Sequence, residues 1–137
     1  MARVLIVDDE PDILLMLRVN FEADGFETAL AADGETAMKR MADERFDLVV
    51  LDVMMPLLDG WGVLERVKQL ADPPRVLVLS ARTSSPDRRR ALQAGAVAFV
   101  AKPFSPTQLS ALAQRILSLS PGEVDVERQA AIAAVDQ

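Results

Sequence analysis

Three carboxylates, one hydroxyl and one amine each stand at the end of an aliphatic run, and what that placement can do chemically depends on what gathers them. Asp52 follows Phe46-Asp47-Leu48-Val49-Val50-Leu51 and opens the loop Val53-Met54-Met55-Pro56-Leu57-Leu58-Asp59-Gly60. Asp8 and Asp9 follow Arg3-Val4-Leu5-Ile6-Val7, Ser80 closes Arg75-Val76-Leu77-Val78-Leu79, and Lys102 follows Val97 to Ala101. A Val- and Leu-rich run without polar alternation reads as a strand buried on both faces. Open α/β sheets place their chemistry at the C-terminal ends of such strands. If these strands lie side by side, Asp8, Asp9 and Asp52 converge on one rim and repel one another unless a cation sits among them. The arrangement asks for a metal. Taken singly, an Asp after a strand is an ordinary cap, Ser80 a helix cap and Lys102 a solvated charge. Chance does not readily set all of them at successive strand ends.

The elements that must position these residues alternate along the chain. The first strand spans about 3–7. Pro11 suits the first turn of a helix carrying Ile13, Leu14, Leu17 and Phe21 at helical spacing, stopped by Gly25. Phe26 to Leu30 reads as a short alternating strand, and Asp33 caps a helix with Ala37 and Met41 inward. A third strand covers about 47–51. Trp61, Leu64 and Val67 mark a third helix, ending before Pro73-Pro74, and Arg75 to Ser80 forms the fourth strand. Ser84 to Asp87 has the spacing of a capping box for a fourth helix that stops near Gly95. Val97 to Ala101 is the fifth strand. Ser105-Pro106-Thr107-Gln108 then opens a fifth helix with Leu109, Leu112, Ile116 and Leu119 at helical spacing. Five βα units with short loops imply a parallel sheet with helices on both faces. Residues 1–120 read as one domain, and 121–137 as a tail or linker with helical potential, because Ser120-Pro121-Gly122-Glu123 repeats the capping spacing.

Composition excludes several chemistries. The chain has 137 residues, 50% of them hydrophobic, enough for one domain with a substantial core. It contains no cysteine and no histidine, so thiolate sites, disulfides, imidazole catalysis and a phosphohistidine are all excluded. Any phosphoryl chemistry here falls to a carboxylate. A net charge of −6 argues against direct nucleic-acid binding, which uses a basic face. No apolar stretch approaches the roughly 18 residues of a membrane span, and no signal peptide is visible; the expectation is a cytoplasmic protein without membrane contact.

From residue 2 to about 119 the chain resembles the receiver domain of two-component response regulators. The motifs that carry the resemblance are Ile6-Val7-Asp8-Asp9-Glu10, Leu51-Asp52 through Asp59-Gly60, Ser80-Ala81, Ala94-Gly95-Ala96 and Lys102-Pro103-Phe104, in order and at matching spacing. The resemblance implies a three-layer, doubly wound (βα)5 fold, flavodoxin-like or CheY-like, with strand order 2-1-3-4-5. It implies that Asp52 accepts a phosphoryl group from the phosphohistidine of a histidine kinase or histidine phosphotransfer protein, forming an acyl phosphate. It implies a Mg²⁺ held by Asp9 and Asp52, by Asp8 through water, and by the backbone carbonyl of Met54. Lys102 would pair with one phosphate oxygen and Ser80 would donate to another, while the small Ala81 leaves the donor an approach. The Lys102-Pro103 bond matches one that is often cis in the family. Phosphorylation would be signalled through Ser80 and an inward turn of Phe99 to the fourth helix, fifth strand and fifth helix. Such a chain is a phosphoacceptor that catalyses its own phosphorylation and dephosphorylation, rather than an enzyme acting on a separate substrate.

The departures from the family pattern bear on output. Phe99 replaces a frequent tyrosine, Val97-Ala98 follow where acidic residues are common, and the fifth helix carries the single charge Arg115. Dimers built on charged pairs across that face lack partners here, although a homodimer of another kind remains compatible. The face formed by 86–119 reads as apolar with Arg88-Arg89-Arg90 at its rim, which suits a downstream protein target. Residues 120–137 are too few for an output module. Among alternatives, a Mg²⁺-dependent aspartyl phosphatase of the haloacid dehalogenase type needs a second Asp two residues after its nucleophile, where Met54 stands. A flavin or nucleotide binder needs glycines where Asp8-Asp9-Glu10-Pro11 stands. An unphosphorylated receiver-like scaffold has no need of the full set Asp8, Asp9, Asp52, Ser80 and Lys102.

Overall fold

A computed structural model describes residues 2–55 and 59–135. The chain alternates β1 (Arg3–Val7), α1 (Pro11–Ala23), β2 (Glu27–Ala31), α2 (Gly34–Asp43), β3 (Leu48–Asp52), α3 (Gly60–Val67), β4 (Arg75–Ser80), α4 (Ser85–Gln93), β5 (Ala98–Ala101) and α5 (Pro106–Ser118), then adds α6 (Pro121–Val135). The strands form one parallel sheet in the order β2-β1-β3-β4-β5, the expected doubly wound topology. Its order reverses between β1 and β3, so the ends of those strands open the crevice in which such folds hold their ligands.

Alternation along each strand sorts the core into two layers. Leu5, Val7, Val49, Leu51, Val76 and Val78 face α2, α3 and α4, meeting Ala37, Met41, Val63, Leu64, Val67 and Ala91. Val4, Ile6, Leu48, Val50, Leu77 and Leu79 face α1 and α5, meeting Leu14, Leu17, Phe21, Leu109, Ala113 and Ile116. Every residue of β3 is buried, which is why its sequence shows no polar alternation.

The caps form as the spacing requires: Asp33 accepts from the Thr36 N–H at 2.7 Å, Ser84 from Asp87 and Ser105 from Gln108. Strand limits shift by a residue. Phe26 donates its N–H to the Phe21 carbonyl and so closes α1 instead of opening β2. Asp52 lies within β3, in register with Leu79. Residues 121–135 form a helix, its start closed by reciprocal bonds between Ser120 and Glu123. Among the described residues no helix is long and apolar enough to cross a membrane.

One surface differs from its reading in the sequence. The large exposed apolar side chains among the described residues are Leu15, Met16, Val19, Met54 and Val126, and none falls within 86–119. Val97 is buried and Ala98 half-buried, while α6 packs against α4. The exposed apolar patch instead lies on α1, where Leu15 and Val19 are each 60% exposed.

Candidate functional site

β1 delivers Asp8 into the rim and buries it completely. Its N–H donates to the Ala31 carbonyl of β2, and its Oδ1 accepts from the Glu10 N–H at 2.9 Å, a tight turn that fixes the carboxylate. Its Oδ2 accepts from Lys102 Nζ at 2.8 Å. Asp52 is 2% exposed; Oδ1 accepts from the Met54 N–H at 2.9 Å and Oδ2 from Lys102 Nζ at 3.2 Å. Lys102 thus bridges the two buried acids, with Glu10 Oε1 at 3.5 Å as a third partner. The Lys102 N–H donates to the Ser80 carbonyl, tying the end of β5 to β4, and the Lys102-Pro103 peptide is cis. Ser80 is buried, its Oγ accepting from the Arg82 N–H at 3.0 Å.

The electrostatics follow from burial. Desolvation pushes the Asp52 carboxyl above its usual range, and the neighbouring Asp8 adds to that; the Met54 N–H and Lys102 oppose it. Burial alone would lower Lys102, but its hydrogen bond to Asp8 and the charges of Asp52 and Asp8 outweigh it, so the ammonium is held above its ordinary value. One carboxylate oxygen from each of Asp8, Asp9, Glu10 and Asp52 lies within 4.8 Å of the others, with Asp9 and Glu10 exposed. A hard divalent cation that keeps several waters fits this donor set, because only oxygen ligands are present and two of the acids face solvent.

Asp8, Asp9, Asp52, Ser80 and Lys102 therefore come together at one rim, and the exposed Met54 stands beside them. Residues 56–58 of the adjoining loop lie outside the described residues. Phe99 sits on β5, half-buried against the α2–α4 core, with the Arg88 guanidinium 5.7 Å from its ring centre.

Two residues acquire places that sequence reasoning did not assign. Glu10, quoted only as part of a motif, belongs to the acidic cluster and approaches Lys102. Gly60 opens α3 pressed against the phosphoacceptor candidate's own backbone: a Cβ there would lie 2.2 Å from Val53 Cα and 2.4 Å from the Asp52 carbonyl oxygen. Its N–H donates to the Val53 carbonyl, and Asp59 caps the helix by accepting from Gly62.

Comparison with known proteins agrees with this geometry. The family model described as "Response regulator receiver domain" matches residues 4–114. The alkaline phosphatase synthesis transcriptional regulatory protein PhoP of Bacillus subtilis is 39% identical over 118 residues, covering 86% of this chain and 49% of the relative. The transcriptional regulatory protein PrrA of Mycobacterium tuberculosis is 37% identical over 149 aligned residues, covering 98% and 64%. The chain thus spans about half to two-thirds of these curated relatives' length. Among solved structures, the receiver domain of the Francisella response regulator 1452 superposes with a TM-score of 0.81 at 30% identity, covering 85% of this chain and 97% of that one. The chemotaxis response regulator CheY4 of Vibrio cholerae gives 0.79 at 32%, covering 85% and 98%. With the fold, the rim and these likenesses in agreement, the chain belongs to the response regulator receiver domains of two-component signalling.

Proposed function

We propose that Asp52 accepts a phosphoryl group from the phosphohistidine of a histidine kinase or histidine phosphotransfer protein. The observation that supports this most is the position of Asp52: buried, held by the Met54 N–H, and sharing one ammonium with Asp8. Asp52 Oδ attacks phosphorus, the donor P–N bond breaks, and the imidazole leaves with the bonding electrons. An aspartyl phosphate forms on this chain. Water returns it to the carboxylate and inorganic phosphate, so both steps are self-catalysed and the chain is an acceptor rather than an enzyme with a separate substrate. Asp8, Asp9, Asp52 and the Met54 carbonyl would hold Mg²⁺, which supplies charge neutralisation when bound. Lys102 neutralises one phosphoryl oxygen, giving up part of its contact with Asp52, and Ser80 donates its hydroxyl to another. Both groups already stand at the rim, so little reorganisation is needed.

Signalling then runs from Ser80 and Phe99 to a downstream protein through residues 86–119, with no direct contact of this chain with nucleic acid. A donor made by a kinase places this exchange in the cytoplasm. The receiver unit covers 1–120 and α6 is an appendage to it. The likeness to PhoP and PrrA favours one further reading, that the receiver serves as the input part of a transcriptional regulator.

Incubation with phosphoramidate and Mg²⁺ tests the proposal. Intact mass should show one added phosphoryl group, none after chelation of Mg²⁺ and none in Asp52→Asn. Equal uptake by Asp52→Asn would overturn the assignment.

A further inference from the structure

We propose that α6 is a resident mask on the α4–β5–α5 face, displaced when Asp52 is phosphorylated. The proposal rests on the phosphoacceptor reading above and adds what that event would release.

The seat of α6 is defined by contacts on both flanks of β5. Arg128 Nη1 donates to the Leu92 carbonyl of α4 at 3.1 Å, and Glu127 pairs with Arg115 of α5. Val124 packs against the α1–α5 core. The residues of α6 that lose exposure are Val124, Glu127, Arg128, Ala131, Ile132 and Val135, a single stripe at helical spacing, while Val126 on the opposite side is largely exposed. The helix therefore lies with one face down, bridging α4 and α5 across the edge strand between them. β5, the edge strand of the sheet, is half-buried along its length, and α6 reaches the helices that flank it on either side.

The same contacts are weak enough to give way. No residue of α6 is fully buried, and four of its residues are alanines whose removal from water is worth little. Only Leu119 and Ser120 separate it from α5, so a displaced α6 remains tethered and can reseat when the phosphoryl group is lost.

The route from the rim to this seat is short. Phe99 lies three residues before Lys102 on β5 and carries the Arg88 guanidinium of α4 on its ring. The buried residues of α4 are Ala91 and Leu92, both at its C-terminal end. Turning Phe99 inward removes the support of Arg88 and frees the lightly packed start of α4. The Leu92 carbonyl that holds Arg128 belongs to the same helix, so movement of α4 strains the seat of α6. A population shift of this kind needs only a differential contact in the two states, and the Arg88–Phe99 contact supplies it.

Hydrogen exchange of the full chain, with and without beryllofluoride and Mg²⁺, tests the mask, with phosphoryl uptake followed in parallel by intact mass. Activation should speed exchange of the α6 amides by about tenfold while β1 and β3 stay protected. Arg128→Ala, or Ile132→Asp as a second disruption, should give the same acceleration without activator and leave phosphoryl uptake intact. Uptake at Asp52 with unchanged α6 exchange overturns the mask and leaves the phosphoacceptor reading standing. Unchanged exchange in both variants also overturns it, because the contacts named here would not be what seats the helix. A chain that takes no phosphoryl group overturns both.

Discussion

The acidic rim and the β5 edge are assembled in opposite ways. At the rim, one ammonium holds two buried carboxylates at 2.8 and 3.2 Å, and backbone N–H groups fix the other oxygen of each acid. At the β5 edge, α6 is held by half-exposed side chains, one bond to a carbonyl and a surface ion pair. In the first region Asp8 and Asp52 are buried and heavily constrained beside the exposed Asp9 and Glu10, so solvent screens a change of charge at Asp52 only in part. The second is shallow and close to balance, so a small push redistributes its states. A receiver needs both: a site where one added group is strongly felt, and a surface that yields to it.

Three perturbations sharpen or break this contrast. The largest effect belongs to Lys102→Met, which leaves Asp8 and Asp52 buried without their shared cation; it should cost about 3 kcal/mol in urea unfolding at neutral pH. The loss should shrink in acid, where a protonated Asp52 no longer needs the partner. In the wild-type protein the raised Lys102 pKa means its contribution is complete below about 10.5 and lost as pH climbs through the folded value.

Asp52→Asn should act in the other direction. The folded protein holds the Asp52 proton more tightly than the unfolded chain, so the wild type loses stability as pH rises from the ordinary carboxylate range through the raised value. The asparagine variant escapes that loss and should be the more stable of the two at pH 7 in urea unfolding, with the advantage vanishing once pH falls below the ordinary carboxylate range. A variant less stable than wild type at every pH would mean that the Lys102 contact outweighs desolvation at this position.

The smallest effect is expected at the β5 edge. Glu127→Gln removes a surface ion pair and should change global stability by less than about 0.5 kcal/mol. A cost comparable to that of Lys102→Met would erase the distinction between the two regions.

How much of this was legible in the sequence varied with the kind of contact involved. Strand ends, caps and the set Asp8, Asp9, Asp52, Ser80 and Lys102 were readable because periodicity finds the ends of the aliphatic runs and the resemblance to receiver domains supplies the strand order that gathers them. Gly60 was legible only as the end of the Leu51-to-Gly60 motif, because its requirement arises from a tertiary approach of α3 to Val53 and Asp52. Glu10 stood in the sequence only as part of the Ile6-to-Glu10 motif and the acidic loop before Pro11, and its approach to Lys102 arises from the fold. The 86–119 face read as apolar because Val97, Ala98 and the nearly uncharged fifth helix stand together in the chain, while the burial of Val97 and the packing of α6 on α4 are tertiary facts. The outward Leu15, Met16 and Val19 of α1 went unremarked beside the inward Leu14, Leu17 and Phe21, since one helix can carry two apolar faces.

The sole tryptophan gives the molecule its own optical gauge. Trp61 lies in the first turn of α3, next to the Gly60 contact, and the Arg90 guanidinium of α4 stacks 4.0 Å from its ring centre. The indole therefore samples the electric field of a charge that travels with α4. Withdrawal of that charge alters the emission of the ring, so intrinsic fluorescence reads helix displacement without any label, and Arg90→Gln separates that signal from events at the rim.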